Sequence, residues 1–431
     1  MKLTDEQEIA VSNALYAIEH ERRYVIKGYA GTGKTTSLIE LVKRAQEKGY
    51  KICLTAPTNK AVDVIRRKMR DAGIDVDIMT TFKLLGLTVG SSGGKKILKI
   101  GGPNNVQKYR SIIIDECSMV SDELLKYLAK FCDSFISIGD PKQLPPVNEV
   151  ESGAFHAGKC TELKTVIRQA AENPIIASSM LLREMIDNNQ FDVERLRQCF
   201  DLQDSIGIIE AQYSTAIEWM KTSFKTKDFQ ENNDKFRCVA WTNKTVNMIN
   251  KMVYNYVYDN PDTPFVKGQT VVLRNNSMEN FYVNQEMIVD SMRVADAKYS
   301  PDPRDIAVVS AYAANRHLID SFECWVIGLN SGELHEHAYC VKDKGTHNRN
   351  ISNLKAAAKE NGSVWPLFWS YLDYYADLRH PYAMTVHCSQ GSTFENQFLI
   401  LDDVLKNPNT REMMQMLYVA FTRPSKCLVI M

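Results

Sequence analysis

Tyr24-Val25-Ile26-Lys27-Gly28-Tyr29-Ala30-Gly31-Thr32-Gly33-Lys34-Thr35 is the stretch on which the fold turns. Tyr24–Lys27 reads as a short buried strand, and residues 34–48 read as a helix. Between them lies the pattern G-x-x-x-x-G-K-[ST], whose glycines let backbone N–H groups turn inward around a phosphate chain. Lys34 supplies a point charge to β- and γ-oxygens, and the Thr35 hydroxyl is placed for Mg²⁺. Gly28, Gly31, Thr32, Gly33, Lys34, Thr35 and Thr36 are therefore the candidate nucleotide cradle.

Outward from this stretch the pattern repeats. Ile52-Cys53-Leu54-Thr55, Ser111-Ile112-Ile113-Ile114 and Phe135-Ile136-Ser137-Ile138 are continuous apolar runs, and a helix is expected from about Lys60 to Ala72. Unbroken runs of this kind belong to parallel strands covered on both faces, so a doubly wound α/β domain is expected. Similar runs return at Cys238–Trp241, Phe398–Leu401 and Leu428–Ile430. Two segments break the alternation. Leu84–Val89 and Lys95–Ile100 flank Ser91-Ser92-Gly93-Gly94 as a projecting β-hairpin would, a floppy surface loop being the alternative. From about 262 to 345 short strands alternate with turn signals, which suggests a small inserted β-barrel, and residues 350–377 look helical and aromatic. The expected partition is 1–165 with a hairpin at about 84–108, then 166–261, an insertion at 262–379, and 380–431.

The 431 residues suffice for about three domains. With 44% hydrophobic and 24% charged residues the chain is neither disordered nor fibrous. Lys+Arg and Asp+Glu both number 52, so binding by bulk positive charge is excluded and any nucleic-acid contact must use a local groove. No apolar run approaches the roughly 18 residues of a membrane span. The opening residues lack a signal-peptide core, and the ten cysteines include no C-x-x-C pair. An intracellular protein is expected, in the cytoplasm of a bacterium or a phage-infected host cell, with no membrane partner.

Asp115-Glu116 follows the strand 111–114 directly, where an acid reaches the carboxyl edge of the sheet beside the phosphate loop. Asp115 is suited to Mg²⁺ and Glu116 to taking a proton from an attacking water, although such a pair also starts helices. Gln143, in Gly139-Asp140-Pro141-Lys142-Gln143-Leu144-Pro145-Pro146, lies past another strand, where a neutral amide can read a γ-phosphate. Thr4-x-x-Gln7 is a capping box, yet Gln7 also has the donors and acceptor to read an adenine edge.

In order along the chain, these segments resemble the motifs of superfamily 1 helicases, most closely the compact Dda-type phage helicases and the RecD-like 5′→3′ branch. Gln7 falls at the Q-motif, Gly28–Thr36 at motif I, Ala56–Lys60 at Ia and Thr80-Thr81-Phe82 at Ib. Ile114–Met119 is similar to motif II, Gly139–Pro146 to III, Val166-Ile167-Arg168-Gln169 to IV, Thr385–Ser392 to V and Leu417–Arg423 to VI. The resemblance covers nearly the whole chain. It implies two RecA-like P-loop lobes that close over ATP and Mg²⁺, with Arg168 and Arg423 reaching the γ-phosphate from the far lobe. Gln390 and Gly391, with Glu395 nearby, resemble the motif V groups near the nucleotide.

The resemblance further implies single-stranded and tailed duplex DNA as partners, contacted by Pro57, Thr58, Asn59, Lys60, Thr81, Phe82, Thr385 and His387. Replication proteins such as a single-strand-binding protein are the implied protein partners, and a monomer the implied state. The hairpin would be the family's pin and the barrel its SH3-like insertion. Three departures stand out: no aromatic residue between Phe82 and Tyr109, Cys388 where lysine is common, and Pro424 after the motif VI arginine. Phe82 reads equally as core. Trp365, Phe368, Trp369, Leu372 and Tyr375 are expected to be helix core before they are a docking element. His335, His337, Cys340 and His347 fit no standard zinc spacing and are expected on a solvent-facing hairpin. Two readings compete with a DNA helicase: a translocase that strips proteins or acts on RNA, and a non-enzymatic adaptor with a P-loop fold.

Overall fold

The computed structural model describes residues 3–92, 95–167, 173–275, 277–278, 280–297 and 318–431. Two six-stranded sheets dominate the first compact unit, which comprises Met1–Gly86, Gly102–Val257 and Tyr382–Met431. In the N-terminal sheet β1 (Tyr24–Gly28), β2 (Ile52–Ala56), β3 (Asp77–Thr80), β6 (Ser111–Ile114), β7 (Phe135–Gly139) and β8 (Lys159–Leu163) run parallel in the order β3-β2-β6-β7-β1-β8. The strands legible in the sequence are its interior ones. The edge strands β3 and β8 are half-exposed and carry Asp77, Lys159 and Glu162, so they present no apolar run to read.

Helix α1 (Asp5–Glu19) lays Ala10, Val11, Ala14 and Ile18 onto this sheet. The next two helices, α2 (Lys34–Glu47) and α3 (Asn59–Asp71), add Leu38, Leu41 and Val42, and Val62, Ile65 and Met69, to the same core. Burial of such side chains contributes about 1.5–3 kcal/mol each. Parallel strands with right-handed crossovers put every strand's carboxyl end on one edge, and there the chemistry gathers.

The C-terminal sheet has the order β17-β11-β18-β19-β10-β9, with β9 (Leu202–Gln203), β10 (Ile206–Glu210), β11 (Phe236–Ala240), β17 (Ala383–Thr385), β18 (Phe394–Leu399) and β19 (Pro424–Ile430). All its pairings are parallel except β9 with β10. Leu401 opens a short helix (Leu401–Val404) instead of ending a strand, and Trp241 lies beyond β11. The helix Thr410–Thr422 is buried continuously from Met413 to Phe421, the pattern of a helix enclosed on all sides.

The second unit comprises Leu87–Gly101 and Tyr258–Pro381. β4 (Leu87–Ser92) and β5 (Lys95–Ile100) form an antiparallel hairpin, one turn later than expected because Leu84 and Leu85 belong to the helix Thr81–Leu85. Gly86 and Gly102 meet at its base: Gly86 has φ 63°, and a Cβ there would lie 2.4 Å from the Gly102 carbonyl oxygen. The Gly102 N–H donates to the Gly86 carbonyl at 3.0 Å.

The larger insertion holds an antiparallel sheet of order β15-β14-β13-β12-β16, with β12 (Thr270–Leu273), β13 (Glu286–Ala297), β14 (Phe322–Ser331), β15 (Leu334–Val341) and β16 (Leu378–Arg379). Among the described residues its ladder runs from β15 to β16 without closing into a barrel. Helices Lys344–Glu360 and Trp365–Tyr374 follow. Phe368, Tyr371 and Tyr375 are buried there, with Trp365, Trp369 and Leu372 packed against them, as expected of helix core. His335 and His337 are exposed on β15, and no group of metal-ligating side chains is found among the described residues.

Candidate active site

The β1–α2 turn is built around Gly31 (φ 76°) and Gly33 (φ 79°). Left-handed backbone is what glycine adopts without a Cβ penalty. Gly33 sits at the N-cap of α2 and offers no side-chain cap, so the first N–H groups of the helix face the loop. The Lys34 ammonium donates to the carbonyls of Gly28 (2.7 Å) and Tyr29 (3.0 Å) and lies 3.7 Å from Asp140. Thr36 is half-buried in the first turn of α2.

Gln7 braces this loop from α1. Its Nε2 donates to the Thr32 carbonyl at 2.9 Å, while Oε1 accepts from the Thr4 N–H at 3.0 Å in a complete capping box. A Cβ on Gly33 would fall 2.2 Å from that Nε2. The amide thus performs the structural task, with its oxygen already engaged.

The acidic pair stands one strand over. The Asp115 N–H donates to the Thr55 carbonyl at 2.8 Å, and the Glu116 N–H donates to Asp115 Oδ1 at 3.0 Å. Glu116 takes φ 53°, a conformation costing a non-glycine residue on the order of 1–3 kcal/mol and concentrated at functional sites. Burial and the neighbouring Glu116 charge push the Asp115 acid above the usual carboxylate range. Among the described residues, Glu116 Oε2 and, on the adjacent loop, Gln143 Oε1 are buried with no hydrogen-bond partner. Orphaned acceptors of this kind fit a bound water and a hydrated cation. The Lys68 ammonium, from α3, donates to Thr35 Oγ1 at 3.0 Å and acts against the upward shift of Asp115. The Asp115 and Glu116 carboxylates with the Thr35 hydroxyl are a donor set suited to Mg²⁺.

Three side chains of the C-terminal sheet's layer reach the loop after β7. Tyr418 Oη accepts from the Ala30 N–H at 3.1 Å and donates to Asp140 Oδ2 at 2.7 Å. Gln390 Nε2 donates to the Leu144 carbonyl (3.0 Å), and Gln415 Nε2 donates to the Gln143 carbonyl (3.2 Å). Arg183, from the helix Pro174–Asn188, lies 4.2 Å above the Tyr29 ring. Gln390 and Gly391 therefore face protein: a Cβ on Gly391 would meet Ala61 at 3.2 Å. Arg423 is buried, and its guanidinium is tied to the Ser392 carbonyl (3.2 Å), the Val419 carbonyl (3.4 Å) and Thr422 Oγ1 (3.2 Å). Arg168 lies outside the described residues.

The residues expected along a strand also fall at carboxyl edges. Pro57 follows β2, Thr58 caps α3 by accepting from the Ala61 N–H, and Asn59 opens that helix. Lys60 reaches Asp234 at 3.5 Å. Thr81 is fully buried, its hydroxyl without a partner among the described residues, whereas Phe82 is half-exposed. Thr385 caps the short helix Val386–Ser389. His387 lies 3.4 Å from Glu412, and burial holds its imidazole below the usual range. Beside it is an open cavity of about 450 Å³, walled by Leu144–Val150 on one side and by Asn409, Arg411, Glu412 and Gln415 on the other.

Lys68, Asp140, Arg183 and Tyr418 also stand around the phosphate loop, and sequence reading assigned them no role. Asp140 could have been found, since it follows β7 as Asp115 follows β6. The other three reach the site from distant segments and leave no local signal.

Comparison with known proteins fits this geometry. An AAA domain family matches residues 2–199, and the viral superfamily 1 RNA helicase core domain matches residues 326–431. The chain is 24% identical to uncharacterized protein R530 of Acanthamoeba polyphaga mimivirus over 96% of its own length and 95% of that protein. It is 31% identical to the ATP-dependent RecD2 DNA helicase of Deinococcus radiodurans over 41% of this chain, which spans only 23% of that larger protein. A Pif1 helicase from Bacteroides, solved with ADP-AlF3 and ssDNA, shares the fold with TM-score 0.51 at 16% identity, covering 100% of this chain and 92% of that one. No helix among the described residues is long and apolar enough to cross a membrane.

Proposed function

Because the chain belongs to the superfamily 1 helicases, we propose that it hydrolyses ATP to move 5′→3′ along single-stranded DNA and to part the duplex ahead of it. One observation carries this reading. Lys34, Asp115, Glu116 and Gln143 converge on one sheet edge, and the loop holding Gln143 is gripped by Gln390, Gln415 and Tyr418 from the other sheet. Any movement of the C-terminal sheet is thereby passed to the site.

In the mechanism the Lys34 ammonium leaves the Gly28 and Tyr29 carbonyls for the β- and γ-oxygens of ATP. The N–H groups at the start of α2 cradle the same phosphates. Thr35 and Asp115 would hold Mg²⁺, which when bound offsets the charge between the β- and γ-phosphates. Glu116 takes the proton of the attacking water, and Gln143 Oε1 accepts that water's second hydrogen. The lobes proposed for 1–165 and for 166–261 with 380–431 then alternate their hold on the strand. Pro57–Lys60 and Phe82 lie on one side of its path, Thr385 and His387 on the other. Phosphate contacts of this kind position a strand without reading sequence. A role in replication, recombination or repair, as a monomer beside a single-strand-binding protein, completes the proposal.

A second reading, protein displacement or movement on RNA with little unwinding, is favoured by the hairpin at 87–101, which carries no aromatic ring to stack on a base pair. Unwinding of duplexes with a 5′ or a 3′ tail separates the two. Only the 5′-tailed substrate is expected to open, and Lys34→Ala or Glu116→Gln should abolish DNA-stimulated ATPase while strand binding persists. Strong single-strand-stimulated turnover without opening of either duplex would favour the second reading. Unchanged turnover in both variants would remove the site assignment altogether.

A further inference from the structure

The densest cationic run in the chain is Arg66-Arg67-Lys68-Met69-Arg70, on a molecule whose charges otherwise cancel. It sits on α3, whose opposite face is given to the core through Ala61, Val62, Ile65 and Met69. Lys60, Val64, Arg67 and Arg70 recur at i, i+4, i+7 and i+10, so one outer stripe carries three cations along about 15 Å of helix. Arg66 flanks that stripe, whereas Lys68 turns away from it to Thr35.

With Asp63 and Asp234 these side chains wall an open cavity of about 300 Å³, in which four cations face two carboxylates. Asp63 is taken by Arg66 at 2.7 Å. Asp234, from the turn Asn233–Lys235 ahead of β11, is left to serve the others. It stands 3.5 Å from Lys60 and 3.8 Å from Arg67, too far for charge-assisted hydrogen bonds of full strength. Arg70 lines the cavity with no acidic partner among the described residues. An open cleft with surplus positive charge, filled in part by one loosely held carboxylate, is a seat for a stronger anion.

We propose that this face of α3 is a track for nucleic-acid phosphates, leaving the strand path at Lys60 and running along Arg67 and Arg70, with Asp234 as the resident anion that a phosphodiester displaces. This rests on the nucleic-acid reading above and adds contacts that no motif segment supplies. The ligand is the phosphodiester backbone, which is held without regard to base sequence. Its source is either a continuation of the bound single strand or the duplex beside it. Because Asp234 belongs to the turn that leads into the C-terminal sheet, its displacement also releases a tie between that sheet's layer and α3.

The test is equilibrium binding of a labelled single strand and of a duplex with a 5′ tail to the full chain, read by fluorescence anisotropy across a salt series. Arg67→Gln combined with Arg70→Gln should weaken binding about 10-fold at low salt. It should also flatten the slope of log K against log salt by about 1.4 for single-strand contacts or about 1.8 for duplex contacts. A change seen with both substrates identifies the single strand as the source, and one confined to the tailed duplex identifies the duplex. Asp234→Asn should tighten the same substrate about two- to fivefold. An unchanged slope with both substrates, or Asp234→Asn binding no tighter than wild type, overturns the track. If the double variant does not fold, Asp234→Asn alone decides. Should the track fail in this way while the wild type still binds the single strand, the nucleic-acid reading stands; a wild type that binds neither substrate removes that reading and the track together.

Discussion

Tyr418→Phe deletes one oxygen atom, and the structure fixes what that oxygen does. It accepts from the Ala30 N–H at 3.1 Å and donates to Asp140 Oδ2 at 2.7 Å, with both side chains buried. Removing it strands an N–H in the phosphate loop and takes from a buried carboxylate its shortest contact. A hydrogen bond to a charged group contributes about 1.5–3 kcal/mol and a neutral one about 1 kcal/mol, so the loss should be roughly 2–4 kcal/mol. For a chain of this size that corresponds to a fall of about 2–4 °C in Tm by calorimetry. Asp140→Asn alone should also destabilise. Because both variants break the same bond, the double variant should fall short of their sum by about 1–2 kcal/mol. A Tm within 1 °C of wild type, or strict additivity, would refute the idea that this hydroxyl clasps the two sheets together.

Other substitutions probe other parts of the molecule. Gly33→Ala forces a Cβ into left-handed backbone and against Gln7 Nε2; it is expected to cost about 2 kcal/mol and to abolish nucleotide binding in a direct titration. Combining it with Gln7→Ala should restore part of the stability but none of the binding. In the second unit, burial holds the His380 imidazole down at about 4, beside the Gln269 amide at 2.7 Å. A histidine that is neutral when folded and titrates near 6.5 when unfolded lends stability that is complete above about pH 6.5 and is lost as pH falls toward 4. The contribution is about 2–3 kcal/mol, and His380→Gln should flatten that part of the Tm–pH profile relative to wild type.

What could be read in advance was what the chain states locally. The phosphate loop combines a short apolar run, a glycine spacing and a helix, all within a dozen residues. Interior strands such as Ile112–Ile114 and Phe135–Ile138 are apolar on both faces and announce themselves. β3 and β8 did not, because an edge strand half-open to water keeps its charges. The inserted sheet was visible as alternating strands, but its ladder order depends on pairings such as Val272 with Arg379, more than a hundred residues apart. The site divides in the same way. Lys34, Asp115 and Glu116 follow from their strands, whereas Lys68, Arg183 and Tyr418 matter only through what the folded chain brings beside them. Gln7 carries two candidate roles in one side chain, and its bonds to Thr4 and Thr32 display the structural one.

The Gly86–Gly102 contact has an evolutionary consequence. The chain leaves for the hairpin and returns from it at two glycines already bonded to one another, so the fifteen residues 87–101 hang from a closed neck. Whatever is spliced between those glycines meets the same two endpoints, and a lineage can lengthen, shorten or swap the appendage without renegotiating the sheet that bears the phosphate loop.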